Sequence, residues 1–384
     1  MTKQEETLIN YEKLLRGYYE AGNLPKDFSP DRIVPDFGFN VLNTRGLLYT
    51  PIIDEHYLSS GGRRPVWPDG KSFAVCLTHD VDVVSPYSLR ESLEARWSQI
   101  KKNPLVLKRI ENLLGLGFDW FRYIGGKKTI HCYELWIKVE SEIDACSTFF
   151  FSPGTQSITK PHQTDCRYNL RDTITFNGQK CTVAEMIKEI DKDSWEIGLH
   201  PSWYSFNDAD EMKRQKEALA NIVNHDITSV RQHYLHYDIR ITPDIHYKAG
   251  LKYDSTLGFN DNIGFRFGTC YPWHLYDLRA EKEMPVLEIP LIIQDSAMLN
   301  PVKGMRLDED TAFKYVKQIT ETVEKVGGVL TLLWHPNHIL EPGWWTLYLR
   351  TLQYLKEKDA WFGSIKEIGE RWEVMKTGWG HGEK

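Results

Sequence analysis

Short apolar segments alternate with amphipathic segments along most of this 384-residue chain. The apolar segments are rich in β-branched and aromatic residues and are bounded by turn residues, which is typical of buried β-strands. The segments between them carry helical periodicity at 182–192, 208–224, 242–250, 309–326 and 344–358. Strands that alternate with helices form a parallel sheet covered by helices, either open or closed into a barrel. The predicted strands lie at 72–77, 147–154, 195–200, 227–232, 251–257, 286–293 and 328–336.

The chain divides into a short extension and one main domain. Residues 1–65 combine a helical start with a loop-rich stretch, and we predict that they form an N-terminal extension packed on the main domain. The main domain spans 66–376, with a helical insertion predicted at about 88–130, after its first strand. The chain length allows one large domain of roughly 250–300 residues with a smaller appendage.

Composition excludes several classes of protein. The net charge of −6 argues against nucleic-acid binding, because affinity for phosphates requires clustered Lys and Arg. The six cysteines are scattered without a CxxC pair, which indicates neither a zinc ribbon nor a disulfide framework. No stretch approaches ~18 uninterrupted apolar residues, and the start MTKQEETLINYEK lacks the apolar core of a signal peptide. We therefore expect a cytoplasmic protein with reduced thiols and no transmembrane segment; the sequence does not indicate an oligomeric state.

Ionisable side chains follow almost every predicted strand at its carboxyl end. In parallel α/β folds, the loops after these ends converge and carry the chemistry. One such residue alone would more often be a surface residue or a helix N-cap, but the repetition favours an active site. The residues are Asp80, Asp82, His200, Arg231, His233, Asp254, His335 and His338.

The first strand ends in CLTHDVD, residues 76–82, where two carboxylates stand two positions apart. Because side chains alternate along a strand, Asp80 and Asp82 can face the same way while Val81 packs inside. A divalent cation would relieve their repulsion, with one carboxylate as ligand and the other as base. Without a cation, the pair would share protons. Ligation by Asp and His suits Zn²⁺ or another first-row metal better than Ca²⁺ or Mg²⁺.

Taken in chain order, these segments resemble the NodB-type polysaccharide deacetylases, carbohydrate esterase family 4, and their wider superfamily. The resemblance covers approximately residues 70–340. It implies an α/β fold, a distorted (β/α)7 barrel with a metal at its C-terminal mouth. The matching segments are LTHDVD, STFFF, WEIGLHPSWYS, VRQHY, GLKYDSTLGF, VLEIPL and LTLLWHPNH.

The same resemblance implies a role for each matching residue. Asp80 would be the general base, and Asp82 and His200 would hold the metal. His335 would be the general acid that protonates the leaving amine. Arg231 would orient Asp80 and keep it ionised through a charge-assisted hydrogen bond.

Two positions depart from the family pattern. The family has H-x-x-x-H where this chain has HPSWY, so Tyr204 replaces the second histidine, and a phenol is a poor zinc ligand. The third ligand of the metal (Zn, or Co, Ni or Mn) would then come from His79, His233 or solvent. A metal that is weakly bound or absent is the alternative. The second departure is His233 itself, which stands where the family has proline.

The loop YDSTLGFNDNIGFRFGTCYPW, residues 253–273, is rich in glycine, aromatic and amide residues. Such a loop could line a saccharide subsite, with Arg266 facing a carboxylate or phosphate of the substrate. A long structural loop is the alternative. We predict substrate-binding roles for Tyr204, His233, Asp254, Arg266 and Trp334.

From these segments we expect a metal-dependent deacylase that hydrolyses the amide of an N-acylated amino sugar in cell-surface polysaccharide synthesis. A cytoplasmic location favours a nucleotide- or lipid-linked sugar precursor as the substrate. Two alternatives stay open. One is a hydrolase of another C–N bond, such as that of a cyclic imide, with little or no metal. The other is a non-catalytic barrel that binds a glycan or a partner protein.

Overall fold

The structure is a computed structural model that describes residues 9–23, 38–84, 133–193, 195–341 and 343–380, with a few isolated positions between 100 and 120. The helical insertion predicted at about 88–130 therefore lies almost wholly outside the described residues. The N-terminal region contacts the main domain, because Ile53 N donates to Gly268 O at 3.0 Å and Cys270 N donates to Asp54 at 2.7 Å. The domain boundary at residue 65 stays a prediction.

A ten-stranded, mostly parallel sheet forms the centre of the protein. The described strands are β1 (Phe73–Val81), β2 (Thr148–Phe151), β3 (Thr173–Phe176), β4 (Gln179–Thr182), β5 (Glu196–Leu199), β6 (Ser229–Val230), β7 (Tyr253–Asp254), β8 (Trp273–Asp277), β9 (Lys282–Glu288), β10 (Ile293–Gln294), β11 (Val329–Leu333) and β12 (Ala360–Phe362). The main path runs β10-β11-β1-β2-β5-β6-β7-β9-β8, and β12 pairs with the start of β1. Within this sheet, the described strands pair in parallel except for β8 with β9. β3 and β4 form a separate hairpin.

β9 and β10 are consecutive in the chain and connect the two sides of the parallel array. Ile289 N donates to Asp254 O at 2.8 Å on the β7 side, and Ile292 N donates to Thr331 O at 3.1 Å on the β11 side. Among the described residues, strand pairing itself stays an open path. The predicted α/β fold with a parallel central sheet is confirmed, whereas a closed barrel is not defined by strand pairing.

Helices follow most strands and cover the sheet. Those described are α1 (Tyr11–Leu15), α2 (Tyr18–Asn23), α3 (Ile52–Ser59), α4 (Tyr133–Ser141), α5 (Val183–Lys192), α6 (Ala209–Val223), α7 (Thr242–Lys248), α8 (Asp295–Leu299), α9 (Glu309–Val326), α10 (Trp344–Lys356) and α11 (Ile365–Gly380). Capping residues set their ends: Thr182 and Glu185 form a capping box at α5. α9 ends at Gly327, whose φ of 78° is the left-handed conformation that glycine adopts without strain. Among the described helices, none combines the length and hydropathy that a bilayer-spanning helix requires.

β1 is buried along its whole length, between β11 on one side and β2 with β12 on the other. Parallel strands that are covered on both faces have nearly continuous apolar sequences, which explains the FAVCL segment. The register places Asp80 opposite Phe150 of β2, and His200 directly follows β5, the next strand in the sheet. The polar end of β1 therefore lies at the edge where its neighbours also end.

Gly198 in β5 has no room for a side chain. A Cβ at this position would lie 2.5 Å from the Phe150 ring, and that ring lies 4.7 Å from the Arg231 guanidinium. Gly198→Ala is therefore expected to lower the free energy of unfolding by about 1–3 kcal/mol through overpacking. Urea unfolding followed by circular dichroism measures this. Gly22→Ala is the matched control, because nothing lies within 4 Å of its added Cβ. Equal stability of Gly198→Ala and wild type would contradict the close contact.

Candidate active site

A cavity of about 990 Å³ opens at the carboxyl ends of the parallel strands. The end of β1 and the residues just after β5, β6 and β11 all contribute side chains to its wall. Arg231, at the end of β6, is fully buried behind the wall and contacts it through Asp80. The cavity brings together six residues predicted from strand ends: Asp80, Asp82, His200, His233, His335 and His338.

Arg231 holds Asp80 in a defined orientation. Its Nη1 lies 3.3 Å from Asp80 Oδ1 and 2.5 Å from Thr78 Oγ1. Its Nε and Nη2 donate to the carbonyl and hydroxyl oxygens of Ser255, both at 2.7 Å. Because the guanidinium is planar and bound on several sides, it fixes the direction of the charge-assisted bond to Asp80. The second carboxylate oxygen, Oδ2, then lies 3.9 Å from His200 Nε2.

Asp82 and two imidazoles form a compact group, which we call the Asp82 cluster (Asp82, His200 and His233). Asp82 Oδ1 lies 3.2 Å from His200 Nε2 and 3.4 Å from His233 Nδ1, and the two ring nitrogens are 2.9 Å apart. Burial by itself would raise the pKa of Asp82, but hydrogen bonds from His200 and His233 hold it well below its usual range. Burial would likewise lower the pKa of His233, yet the hydrogen bond and charge of Asp82 raise it. Asp82 is therefore an anion within this cluster.

Backbone carbonyls determine which ring nitrogens face the Asp82 cluster. His200 Nδ1 lies 2.8 Å from the Arg231 carbonyl oxygen, and His233 Nε2 lies 2.7 Å from the Thr164 carbonyl oxygen. A carbonyl oxygen only accepts, so each of these nitrogens carries its hydrogen. In neutral rings, His200 Nε2 and His233 Nδ1 then present lone pairs to each other. A proton or a metal ion between them is needed to offset the repulsion of these lone pairs.

The Asp82 cluster fits a tetrahedral divalent metal. Zinc bonds of about 2.0–2.2 Å to nitrogen and oxygen place two tetrahedral ligands roughly 3.3–3.5 Å apart, and the three separations in the cluster, 2.9 to 3.4 Å, come close to that value. An outward N–H bonded to a backbone carbonyl is also the usual support of a metal-binding histidine. These residues could therefore hold a first-row divalent ion.

Cys166 borders the Asp82 cluster. Its Sγ lies 3.9 Å from Asp82 Oδ1, and Sγ, one Asp82 oxygen and one nitrogen of each histidine lie within 4.8 Å of one another. Burial and the Asp82 charge raise the pKa of the Cys166 thiol well above its ordinary value. Without a cation beside it, Cys166 is therefore a neutral thiol.

The His335 ring lies between the carboxylates of Asp82 and Asp295. Its Nε2 lies 3.9 Å from Asp82 Oδ2, its Nδ1 lies 2.7 Å from Asp295 Oδ1, and its backbone N donates to Asp295 Oδ2 at 2.8 Å. Asp295 is fully buried and also lies 3.3 Å from His338 Nδ1. Burial would lower the pKa of the His335 imidazole, but the charges of Asp295, Asp82 and Asp80 raise it to about 10. The imidazole is therefore protonated at neutral pH and can donate a proton from Nε2.

Replacing Asp295 by asparagine is expected to lower the pKa of His335 from about 10 towards its ordinary 6.5, because the amide removes the nearest negative charge. The imidazole would then lose its proton as the pH rises through neutrality. As the pH is raised, any activity that needs this proton would therefore be lost at a lower pH in the variant than in the wild type. An NMR titration of the histidine Cε1–H resonances measures the shift. His225, paired with Asp191 at 2.7 Å, is the internal control; an unchanged His335 titration would contradict the role of Asp295.

Arg266 and Asp254, predicted to bind substrate, are not among the residues that line the cavity. Arg266 forms a two-point ion pair with Glu20, with its Nε 2.9 Å from Oε2 and its Nη2 2.6 Å from Oε1. Its charge therefore attaches helix α2 to the 253–273 loop. Asp254 is fully buried at the end of β7, where Oδ1 accepts from Thr256 N at 3.0 Å and Oδ2 lies 3.0 Å from His246 Nδ1.

Tyr204 also lies outside the set of cavity-lining residues. Residues four positions apart are neighbours on the surface of an α-helix. Here the chain leaves β5, and Trp203–Asn207 forms a 3₁₀ helix, so this spacing does not align Tyr204 with His200. The Tyr204 ring instead contacts His162 at a centroid distance of 5.5 Å. The nitrogen beside His200 Nε2 belongs to His233.

The alternation of side chains along an extended segment turns His79 and Trp334 away from the cavity. His79 precedes Asp80, and its Nε2 lies 2.7 Å from Glu140 Oε1 while its Nδ1 lies 2.8 Å from the Trp334 carbonyl oxygen. Trp334 precedes His335, and its buried ring packs 5.2 Å from that of Tyr348. Successive side chains of an extended segment face opposite sides. His79 is therefore not available as the third metal ligand, and Trp334 is a core residue.

Two members of the site are not indicated by the sequence analysis above. Asp295 follows the apolar segment LIIQ, so it repeats the pattern of the other strand ends, and extending the predicted strand 286–293 by two residues would have found it. Cys166 lies in the 158–172 segment, away from any strand end, and no local pattern marks it. His233, predicted to bind substrate and also considered as the third metal ligand, lies in the Asp82 cluster.

No protein-family model and no curated protein matches this chain. Solved structures match it over most of its length. One named as a polysaccharide deacetylase from Mycobacterium smegmatis is 18% identical, with 82% of this chain and 95% of that chain covered and a TM-score of 0.52. An allantoinase is 15% identical, with 83% and 95% covered and a TM-score of 0.51. A second named deacetylase, from Pseudomonas aeruginosa PAO1, is 15% identical, with 81% and 94% covered and a TM-score of 0.50.

At these identities the similarity shows the fold. The chain shares its fold with these named deacetylases, so the fold that the strand-end motifs implied is confirmed. The same fold occurs in the allantoinase. Fold and site together therefore define an α/β protein with the fold of these deacetylases, in which carboxylates, imidazoles and a thiol share one cavity.

Proposed function

We propose that this protein is a metal-dependent hydrolase that removes the acyl group from an N-acylated amino sugar. One arrangement carries the proposal: the arginine-held Asp80 and the protonated His335 each lie 3.9 Å from the Asp82 cluster. Hydrolysis of an amide requires a base for the attacking water, an acid for the leaving nitrogen and positive charge near the carbonyl oxygen. The fold shared with named polysaccharide deacetylases supports the assignment.

Asp80 acts as the base in this proposal. Its Oδ1 is held by Arg231 at 3.3 Å, so Oδ2 is directed to the cavity side, 3.9 Å from His200 Nε2. Oδ2 takes a proton from water while the water oxygen forms a bond to the acyl carbon. The electron pair of the carbonyl bond moves onto the carbonyl oxygen. Arg231 also offsets the charge of the carboxylate before the reaction begins.

Asp82, His200 and His233 would hold the metal, Zn²⁺ or a related first-row divalent ion. When bound, such an ion lowers the pKa of water and polarises the acyl carbonyl. The donor set supports this choice, because imidazole and carboxylate together favour first-row ions over Mg²⁺ and Ca²⁺. The backbone carbonyls of Arg231 and Thr164 keep the two imidazoles in the tautomers that ligation requires.

His335 acts as the acid. As the C–N bond breaks, its Nε2 donates a proton to the leaving nitrogen, while Asp80 holds the proton that came from water. The products are a carboxylic acid and a free amine. Asp295 binds the opposite ring nitrogen at 2.7 Å, and it thereby orients the imidazole and stabilises its charge before the transfer.

The cavity wall supports a saccharide as the substrate. Several side chains there carry amide or hydroxyl groups, which suit sugar hydroxyls, and Tyr234 offers a ring that is 45% exposed for a sugar face. The residues with side-chain amides, or with serine or threonine hydroxyls, are Gln163, Thr164, Asn260, Gln294, Ser296, Asn300 and Asn337. The nucleotide- or lipid-linked form of the sugar and the cytoplasmic location stay predictions from the sequence.

Acid release from N-acetylated sugars tests the function. Protein loaded with Zn²⁺ or Co²⁺ is incubated with free, nucleotide-linked and lipid-linked forms. We expect acetate and free amine in equal amounts, with activity lost on chelation and restored by added metal. Turnover of cyclic amides alone would favour hydrolysis of another C–N bond. Saturable glycan binding without turnover of any substrate would favour a non-catalytic barrel.

A further inference from the structure

Cys166 lies beside the Asp82 cluster. The residue is 6% exposed, and its Sγ lies 3.9 Å from Asp82 Oδ1. Tetrahedral zinc bonds of about 2.3 Å to sulfur and 2.0–2.2 Å to oxygen would place these two atoms roughly 3.6 Å apart. A hydrogen bond from a thiol, a weak donor, contributes little at the observed separation. The position of Sγ therefore suits a shared metal better than a bond to Asp82.

The segment that carries Cys166 also orients His233. The Thr164 carbonyl oxygen lies 2.7 Å from His233 Nε2, and Cys166 follows two residues later. Asp165, between them, accepts from Trp203 N at 2.7 Å and from His162 N at 2.6 Å. This short segment is therefore held by several hydrogen bonds. It places the Cys166 thiol within 4.8 Å of one ring nitrogen of His200 and one of His233.

We propose that Cys166 is a fourth protein ligand of this metal, so that the donor set comprises one carboxylate, two imidazoles and one thiolate. The inference rests on the proposed metal-dependent function and adds to it the class of metal. A thiolate is a soft donor that selects Zn²⁺, or Co²⁺ in its place, over Mg²⁺ and Mn²⁺. Catalytic zinc sites keep a position open for water, whereas four protein ligands close it. Cys166 therefore competes with the hydrolytic water for the fourth position.

Cobalt substitution tests the ligand directly, without an activity assay. Wild-type protein loaded with one equivalent of Co²⁺ is expected to show a near-ultraviolet thiolate-to-cobalt charge-transfer band. The band should disappear in Cys166→Ser and persist in Cys181→Ser, because Cys181 lies in the β3–β4 hairpin. X-ray absorption of the wild-type zinc protein needs no variant and should show one sulfur at about 2.3 Å.

The outcomes separate this inference from the proposed function. Bound Co²⁺ without the band, a band that persists in Cys166→Ser, or a zinc spectrum without sulfur would each overturn the Cys166 ligand and leave the deacylase proposal intact. Failure of the wild-type protein to bind Co²⁺ or Zn²⁺ at all would overturn both. Loss of the band in Cys166→Ser alone, with Co²⁺ still bound through the Asp82 cluster, would support the four-ligand site.

Discussion

Asp80→Asn is expected to reduce kcat for amide hydrolysis by about 10²–10⁴-fold, the usual contribution of a general base. The asparagine carbonyl can still accept the Arg231 hydrogen bond, which is 3.3 Å long in the wild type, but it cannot take a proton from water. The buried guanidinium also loses its adjacent carboxylate, so we expect a lower Tm. The measurement is therefore steady-state kinetics well below the Tm, expressed per mole of metal-loaded protein.

Asp226→Asn is the matched control for loss of a paired carboxylate. Asp226 is exposed and forms an ion pair with Lys216 at 2.8 Å, and it is not among the residues that line the cavity, so the kcat of Asp226→Asn should equal that of the wild type. If metal-loaded Asp80→Asn retains more than about a tenth of the wild-type kcat, a smaller loss than general-base removal gives, then another group is the base.

His233→Ala is expected to weaken Zn²⁺ binding by about 100-fold or more, because even outer-shell partners of a metal contribute 10–100-fold. The substitution removes the nitrogen that faces His200 Nε2 at 2.9 Å and the partner of Asp82 at 3.4 Å. Competition with a chromophoric chelator measures the affinity at fixed pH. Reduced affinity should appear without loss of the circular dichroism spectrum.

Tyr204→Phe is the control for this prediction, because Tyr204 occupies the sequence position of the second family histidine but lies outside the cavity-lining residues. Its Zn²⁺ affinity should match that of the wild type. The reverse order, with Tyr204→Phe impaired and His233→Ala normal, would show that the metal ligands lie around residue 204 and that the Asp82 cluster is not the metal site.

Most of the site could be predicted from strand ends and strand parity. β1 is buried and extended, so Asp80 and Asp82 reach the cavity while His79 turns to Glu140. The same rule places His200, Arg231 and His335 at one edge of the sheet, because parallel strands end on the same side. The alternation of side chains also places Trp334 in the core, which does not fit the prediction that Trp334 binds substrate.

A residue's position in a family motif indicates its role only where the local backbone has the same conformation as in the family. Tyr204 lies outside the cavity-lining residues, because the segment after β5 forms a 3₁₀ helix at Trp203–Asn207 and not an α-helix that includes His200. Arg266 lies in a loop that suggested a saccharide subsite, yet its charge pairs with Glu20, which is 246 positions away. A pattern of neighbouring residues cannot indicate an ion-pair partner at such a distance along the chain.

The sequence was sufficient for the features that depend on neighbouring residues: the order of strands and helices, the covered parallel sheet, and the carboxylates and imidazoles at its carboxyl edge. Periodicity is local, so a single segment reveals it. The tertiary structure alone decided which of these groups lie together. Cys166 meets Asp82 across 84 positions, and His335 meets Asp295 across 40. Such pairings depend on loops that pack against distant strands, and their geometry exists only once the whole sheet has assembled.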